Sequence, residues 1–185
     1  MELDPETGWL VGVRHCPSPN CDRRPEGCTV DLLVVHGISL PPGEFGGPYI
    51  DHLFTNSLNV AAHPGFAGLA GLRVSAHLLI RRDGTLTQYV SLDERAWHAG
   101  VSCYMDRERC NDYSIGIELE GADGIPYDER QYEALIGVTR LLLRRWPAIT
   151  PERIVGHSDI APGRKTDPGP AFDWRRFRDG LLRLG

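Results

Sequence analysis

The sequence predicts an α/β (α+β) fold, a single domain in which a mixed central β-sheet is flanked by helices. Three observations carry that prediction. Leu32, Leu33, Val34 and Val35 form a short apolar run, which reads as a central strand buried on both faces. Residues 114–120 alternate strictly, placing Ile115, Ile117 and Leu119 on one side and Glu118 and Glu120 on the other, the period of a strand. After Asp128, the residues Tyr132, Leu135, Ile136, Thr139, Leu142, Leu143 and Trp146 recur at helical spacing, the stripe of an amphipathic helix. A chain of 185 residues suits one well-buried core rather than two.

Taken in order, residues 1–28 read as an irregular arm with a small apolar patch at Trp9, Leu10 and Val11, and the core runs from about 29 to 184. The strand at 32–35 ends at His36-Gly37, a polar residue where a sheet opens to a site. The Pro- and Gly-rich run 41–48 forms a rigid loop, followed by a short helix over roughly 51–56. A second strand spans 74–82. Asp83-Gly84 is a strong two-residue hairpin signal, returning the chain antiparallel over 85–90. Asp128 with Gln131 makes a capping box for the long helix, which Pro147 stops. Ile154 and Val155 form a short strand, and Asp173 caps a last helix carrying Trp174, Phe177, Leu181 and Leu182.

Composition narrows the function classes. A net charge of −5 gives no electrostatic case for nucleic acid or an anionic membrane. No apolar stretch approaches the roughly 20 residues of a membrane span. The acidic N-terminus, 1–7, has no apolar h-region, so a cytoplasmic protein is expected. The five cysteines show no CxxC spacing, which disfavours a zinc ribbon and reads as free thiols in a reducing compartment; Cys16, Cys21 and Cys28 carry no assigned role.

The chemistry concentrates in residues 156–170. Three Pro and three Gly in these fifteen residues hold the backbone in turns rather than a helix or strand. Such a loop can bring His157 and Asp167 to one centre with Lys165 reaching over it. Imidazole and carboxylate are zinc ligands. His36, at the end of a buried strand beside a glycine, is the best third ligand. Three protein ligands leave a fourth position for water, the pattern of catalytic zinc. A hydrolytic site also needs a base, for which Glu118 and Glu120 both qualify, and a cation for the oxyanion, for which Lys165 is placed. Glu118 and Glu120 as a glycosidase pair would leave the metal ligands without a role.

With these residues assembled, the chain resembles the zinc N-acetylmuramoyl-L-alanine amidases of the amidase/peptidoglycan-recognition superfamily, and within them the cytoplasmic AmpD type that acts on 1,6-anhydro-muropeptides. The matching blocks are LLVVH at 32–36, SLPPGEFGGP at 39–48, LRVSAH at 72–77, RAWHAGVS at 95–102, RERCNDYSIGIELEG at 107–121 and GHSDIAPGRKTDPGPAFDW at 156–174. The resemblance implies one zinc ion per chain on His36, His157 and Asp167, Glu118 as the general base and Lys165 as the oxyanion-stabilising amine. Glu120 then becomes a supporting residue. It further implies that Arg73 and Arg109 grip stem-peptide carboxylates, a task suited to bidentate arginine, and that His98 borders the sugar site. The implied reaction is hydrolysis of the bond between 1,6-anhydro-N-acetylmuramic acid and L-Ala during peptidoglycan recycling. The implied partner is that small-molecule anhydro-muropeptide, and a monomer is expected.

Two departures stand out. Gly37 occupies a position where a larger polar residue such as Asn is expected to touch substrate, and Ser158 replaces a frequent Cys. Two rivals remain: the same chemistry on intact peptidoglycan, as in autolysins and endolysins, and a peptidoglycan-recognition module that binds without cutting. Such modules lose a metal ligand, whereas all three ligands, the base and Lys165 are present here.

Overall fold

The computed structural model describes residues 1–183. Six strands make the main sheet: β1 (Arg14–His15), β2 (Leu32–Ile38), β3 (Leu78–Ile80), β4 (Leu86–Gln88), β5 (Ser114–Glu120) and β6 (Ile154–Gly156). Their order is β6-β2-β5-β3-β4-β1. The first four in that order run parallel, β4 returns antiparallel to β3, and β1 lies parallel to β4. The sheet is therefore mixed, as the apolar and alternating runs predict.

Alternation divides the sheet into two chemically different faces. Leu33, Val35, Ile115, Ile117 and Leu119 pack with Leu135, Val138 and Leu142 of helix α2 (Glu129–Arg145). Phe177 of the C-terminal helix joins this core. The predicted capping box forms: the Asp128 carboxylate accepts from the Arg130 N–H, and the Asp128 N–H donates to Gln131 Oε1 at 3.0 Å. On the opposite face Leu32 and Val34 pack with Tyr113 and Ile160. Toward the C-terminal ends of β2 and β5 this second face turns polar, and the cleft opens there, where parallel sheets ordinarily bind ligands.

Four sequence expectations are corrected. The arm is not irregular: β1 belongs to the main sheet, Glu2–Leu3 pairs with Leu10–Val11, and Cys21–Asp22 pairs with Arg95–Ala96. The partly buried Arg24 guanidinium ties this arm to the fold, donating to the carbonyls of Asn111 and Asp112 at 3.2 and 3.0 Å. The short helix near 51–56 starts earlier, α1 spanning Tyr49–Phe54, directly after Pro48, which disfavours a helical conformation only for the residue before it. The strand over 74–82 forms a ladder only at β3. Finally, residues 156–170 do contain a helical turn, α3 (His157–Ile160), because Asp159 folds back to accept from the Gly156 N–H at 2.7 Å. Asp173 caps α4 (Trp174–Leu182) as expected, accepting from the Arg176 N–H.

Among the described residues no helix is long and apolar enough to cross a membrane.

Candidate metal centre

Three side chains converge where β2, α3 and the following loop meet. His36 Nδ1 lies 3.0 Å from His157 Nδ1 and 3.2 Å from Asp167 Oδ2, and His157 Nδ1 lies 3.0 Å from Asp167 Oδ2. His36 and His157 are buried, and Asp167 is mostly so. Two imidazole lone pairs at 3.0 Å repel unless a proton or cation lies between them. The edges of a tetrahedron with metal–ligand bonds near 2.0–2.2 Å measure roughly 3.3–3.6 Å, close to the separations found. The donor set therefore fits a divalent cation, held by one anionic and two neutral ligands.

Each member of the set is fixed by backbone. His36 sits near the end of β2, while His157 opens α3, whose last turn is closed by the Ala161 N–H on its carbonyl at 3.0 Å. The Ser158 N–H donates to the Asp167 carbonyl at 3.0 Å, locking loop to helix. Tyr127 Oη donates to the Pro168 carbonyl at 2.9 Å, bracing the residue next to Asp167. Outer nitrogens are also engaged: His157 Nε2 faces the Ala99 carbonyl at 3.2 Å and His36 Nε2 faces His98 Nδ1 at 2.9 Å.

Electrostatics keep the set ready for a cation. Burial lowers His36 to about 4, against the opposing pull of Asp167, so its imidazole is neutral near pH 7. Burial pushes Asp167 upward, but the His157 and His36 nitrogens facing it more than offset that and hold it well below the usual carboxylate range.

Glu118 stands beside the triad. It is the register partner of His36 in the parallel β5–β2 ladder, so both side chains leave the same face of the sheet. Glu118 Oε2 is buried with no hydrogen-bond partner. Burial and then the Asp167 charge raise its pKa well above the ordinary value, with Lys165 opposing. Glu120, on the same face, is saturated: its carboxylate accepts from Arg81 at 3.0 Å, from the Gly46 N–H at 2.7 Å and from the Arg82 N–H at 3.2 Å. The ambiguity that periodicity leaves between the two acids is thus separated by their partners.

Gly37, His98, Glu118, His157, Lys165 and Asp167 all line one cleft of about 210 Å³, walled by Leu53, Leu72 and Val74. Lys165 is exposed at its rim. Arg73 and Arg109 lie outside it. Arg73 edges an adjoining hollow with Leu58 and Leu72. Arg109, held at φ 60° and paired with Asp112 at 3.3 Å, borders a groove with Val101 and Arg164. The backbone direction at Gly37 aims a Cβ at Tyr127 Oη, 2.4 Å away, so the small residue makes room for the tyrosine hydroxyl. His98 is 8% exposed with both ring nitrogens occupied inside the protein. Sequence reasoning missed Tyr127, Ser114 and the Ala99 carbonyl as supports. One signal was available: Gly116 interrupts an apolar strand, and interior strand glycines mark close approaches. Here a Cβ would lie 2.5 Å from the His98 ring.

A buried His/His/Asp set that could hold a metal ion, with a carboxylate lacking any hydrogen-bond partner in the same cleft, is therefore carried on a mixed α/β sheet. The chain belongs to the N-acetylmuramoyl-L-alanine amidase family, whose profile matches residues 26–170. It is 65% identical to the 1,6-anhydro-N-acetylmuramyl-L-alanine amidase AmpD of Enterobacter cloacae over 172 residues, 93% of this chain and 91% of that one. It superposes on a crystal structure of an AmpD derivative with TM-score 0.94 at 61% identity, covering 98% of this chain and 99% of the other. A complex of the Escherichia coli amidase AmiD with anhydro-N-acetylmuramic acid-L-Ala-D-gamma-Glu-L-Lys aligns with TM-score 0.61 at 31% identity, over 85% of this chain and 60% of that one.

Proposed function

We propose that this chain hydrolyses the amide bond between 1,6-anhydro-N-acetylmuramic acid and the L-Ala of a stem peptide, with zinc on His36, His157 and Asp167. The observation that carries this is the register pairing of His36 with Glu118, which sets an uncommitted carboxylate beside the convergent triad in a chain 65% identical to AmpD. When bound, zinc supplies Lewis acidity, polarising a carbonyl and lowering the pKa of a water toward about 7.

The residues divide the remaining work. Glu118 takes a proton from the attacking water as its oxygen adds to the carbonyl carbon. Lys165, at the rim of the same cleft, steadies the developing oxyanion by charge. Glu118 then passes the proton to the leaving nitrogen of L-Ala, the C–N bond breaks, and a free peptide and the sugar carboxylate result. Burial favours this cycle, because it raises the Glu118 carboxyl above its ordinary pKa and so strengthens it as a proton acceptor. Arg73 and Arg109 remain in the proposal as carboxylate grips on more distant parts of the stem peptide, and Gly37 as part of the cleft floor. All of these residues come from one chain, so a monomer suffices. Five free cysteines suit a reducing, cytoplasmic location, where soluble fragments released from the wall would be recycled.

Mass spectrometry of products from anhydro-muramyl tripeptide and its reducing muramyl counterpart, at equal concentration with zinc present, tests the proposal. Preferential release of tripeptide from the anhydro form is expected. Equal or faster cutting of the reducing form would shift the role toward wall lysis. No release from either would leave a binding module.

A further inference from the structure

The hydrolysis above uses one nitrogen of His36. The other begins a buried row that it does not use. His36 Nε2 meets His98 Nδ1 at 2.9 Å, and His98 Nε2 meets Ser114 Oγ at 3.1 Å. Ser114, His36 and His98 are 0%, 1% and 8% exposed, so both bonds lie inside the protein. The row is built into the fold: Ser114 opens β5, and Gly116, two residues on, leaves the space that the His98 ring fills.

Such a row can run in two directions. Running outward, His36 donates its Nε2–H to His98 Nδ1, and His98 donates its Nε2–H to Ser114 Oγ. His36 Nδ1 then presents a bare lone pair to the triad. Running inward, Ser114 donates to His98 and His98 donates to His36 Nε2. His36 must then carry its proton on Nδ1, where it blocks a cation. His157 has no such freedom, because its Nε2 faces the Ala99 carbonyl, which only accepts.

We infer that His98 is a positioning residue for metal binding, accepting the Nε2–H of His36 to select the metal-ready tautomer, with Ser114 orienting His98 in turn. The inference rests on the reading of His36, His157 and Asp167 as a zinc site. It assigns to His98 a role toward the metal rather than toward sugar. Because the partner is a neutral imidazole rather than a carboxylate, it orients His36 without adding negative charge behind the ligand.

The test is zinc affinity by competition with a chromophoric chelator, on the full chain. His98→Leu keeps the bulk and removes the acceptor, and zinc binding is expected to weaken by about 10–100-fold, the usual cost of losing such an outer partner. His98→Gln restores an acceptor and is expected to recover most of that loss. Ser114→Ala, the mildest change, is expected to weaken binding a few-fold and to speed exchange of the His36 Nε2 proton seen by imidazole NMR of the zinc-loaded chain. Wild-type affinity in His98→Leu overturns the inference. Equal loss in His98→Gln and His98→Leu reduces His98 to packing and overturns it as well. If His98→Leu does not fold, unchanged affinity and proton exchange in Ser114→Ala overturn it. Absence of zinc binding by the unaltered chain would instead defeat the metal reading beneath it, so the two failures are distinct.

Discussion

Glu118 and His36 are opposite partners in the ladder between β5 and β2. Neighbouring parallel strands hold such partners side by side on one face, so the carboxyl and the imidazole are spaced by backbone hydrogen bonds rather than by side-chain packing. Glu120 leaves the same face two residues later, yet its carboxylate is committed to Arg81 and two backbone N–H groups.

Glu118→Gln is expected to keep its zinc and lose turnover by about 10²–10⁴-fold, the usual contribution of a positioned acid–base group. Metal analysis and kinetics on one sample check both halves. Glu120→Ala should behave in the opposite way. Losing the buried partner of Arg81 is expected to destabilise the fold by about 3 kcal/mol, read by urea denaturation, with turnover per folded molecule largely kept. Swapped outcomes would reassign the base.

Asp167→Ala removes the one carboxylate of the proposed ligand set, so zinc affinity should fall by more than the roughly 10–100-fold that outer partners cost. In the unaltered protein a strong chelator should abolish activity and added zinc restore it. Full activity after exhaustive chelation would remove metal from the mechanism.

Gly37 and Tyr127 should be coupled. A Cβ at position 37 would sit 2.4 Å from Tyr127 Oη, and that hydroxyl braces the Pro168 carbonyl. Gly37→Ala and Tyr127→Phe are each expected to destabilise. The double variant should be more stable than the sum predicts by about 1 kcal/mol, because removing the hydroxyl frees the space. Simple additivity in thermal or urea unfolding would show that the two sites do not meet.

His77 sets an acid limit on stability. Burial, with Arg24 beside it, lowers His77 from 6.5 to about 3. The unfolded chain takes up this proton near 6.5 while the folded chain refuses it until about 3. The contribution is therefore complete above the first value and lost as pH falls through that window, on the order of a few kcal/mol. His77→Gln should flatten the decline of stability between those limits, measured on metal-free protein. An unchanged slope would mean that His77 charges freely in the fold.

Much of this architecture was legible in the residues. Strict alternation in β5 and the stripe of α2 are local patterns that burial enforces, and both appear with the predicted faces. The convergence of His36, His157 and Asp167 was legible for a different reason: few residue types bind metal, and the Pro- and Gly-rich loop concentrated two of the three. Three things were not. The split between Glu118 and Glu120 depends on Arg81 and Gly46, which reach Glu120 from distant loops. The turn of helix at His157 depends on one Asp159 hydrogen bond that outweighs the surrounding Pro and Gly. The roles of Ser114, Tyr127 and Ala99 depend on tertiary neighbours, which no local period encodes.

The arm carries a last consequence. Asn20 donates to the Val74 and Phe54 carbonyls, and Arg24 donates to the carbonyls of Asn111, Asp112 and Leu92. The family profile begins only at residue 26, so the profile leaves out residues that brace the cleft here. Residues 14–25 act as a mortise, seating the loops that wall the cleft against the sheet. A chain trimmed to that profile would retain Glu118, Lys165 and the His36, His157 and Asp167 set and lose the joinery that aligns them.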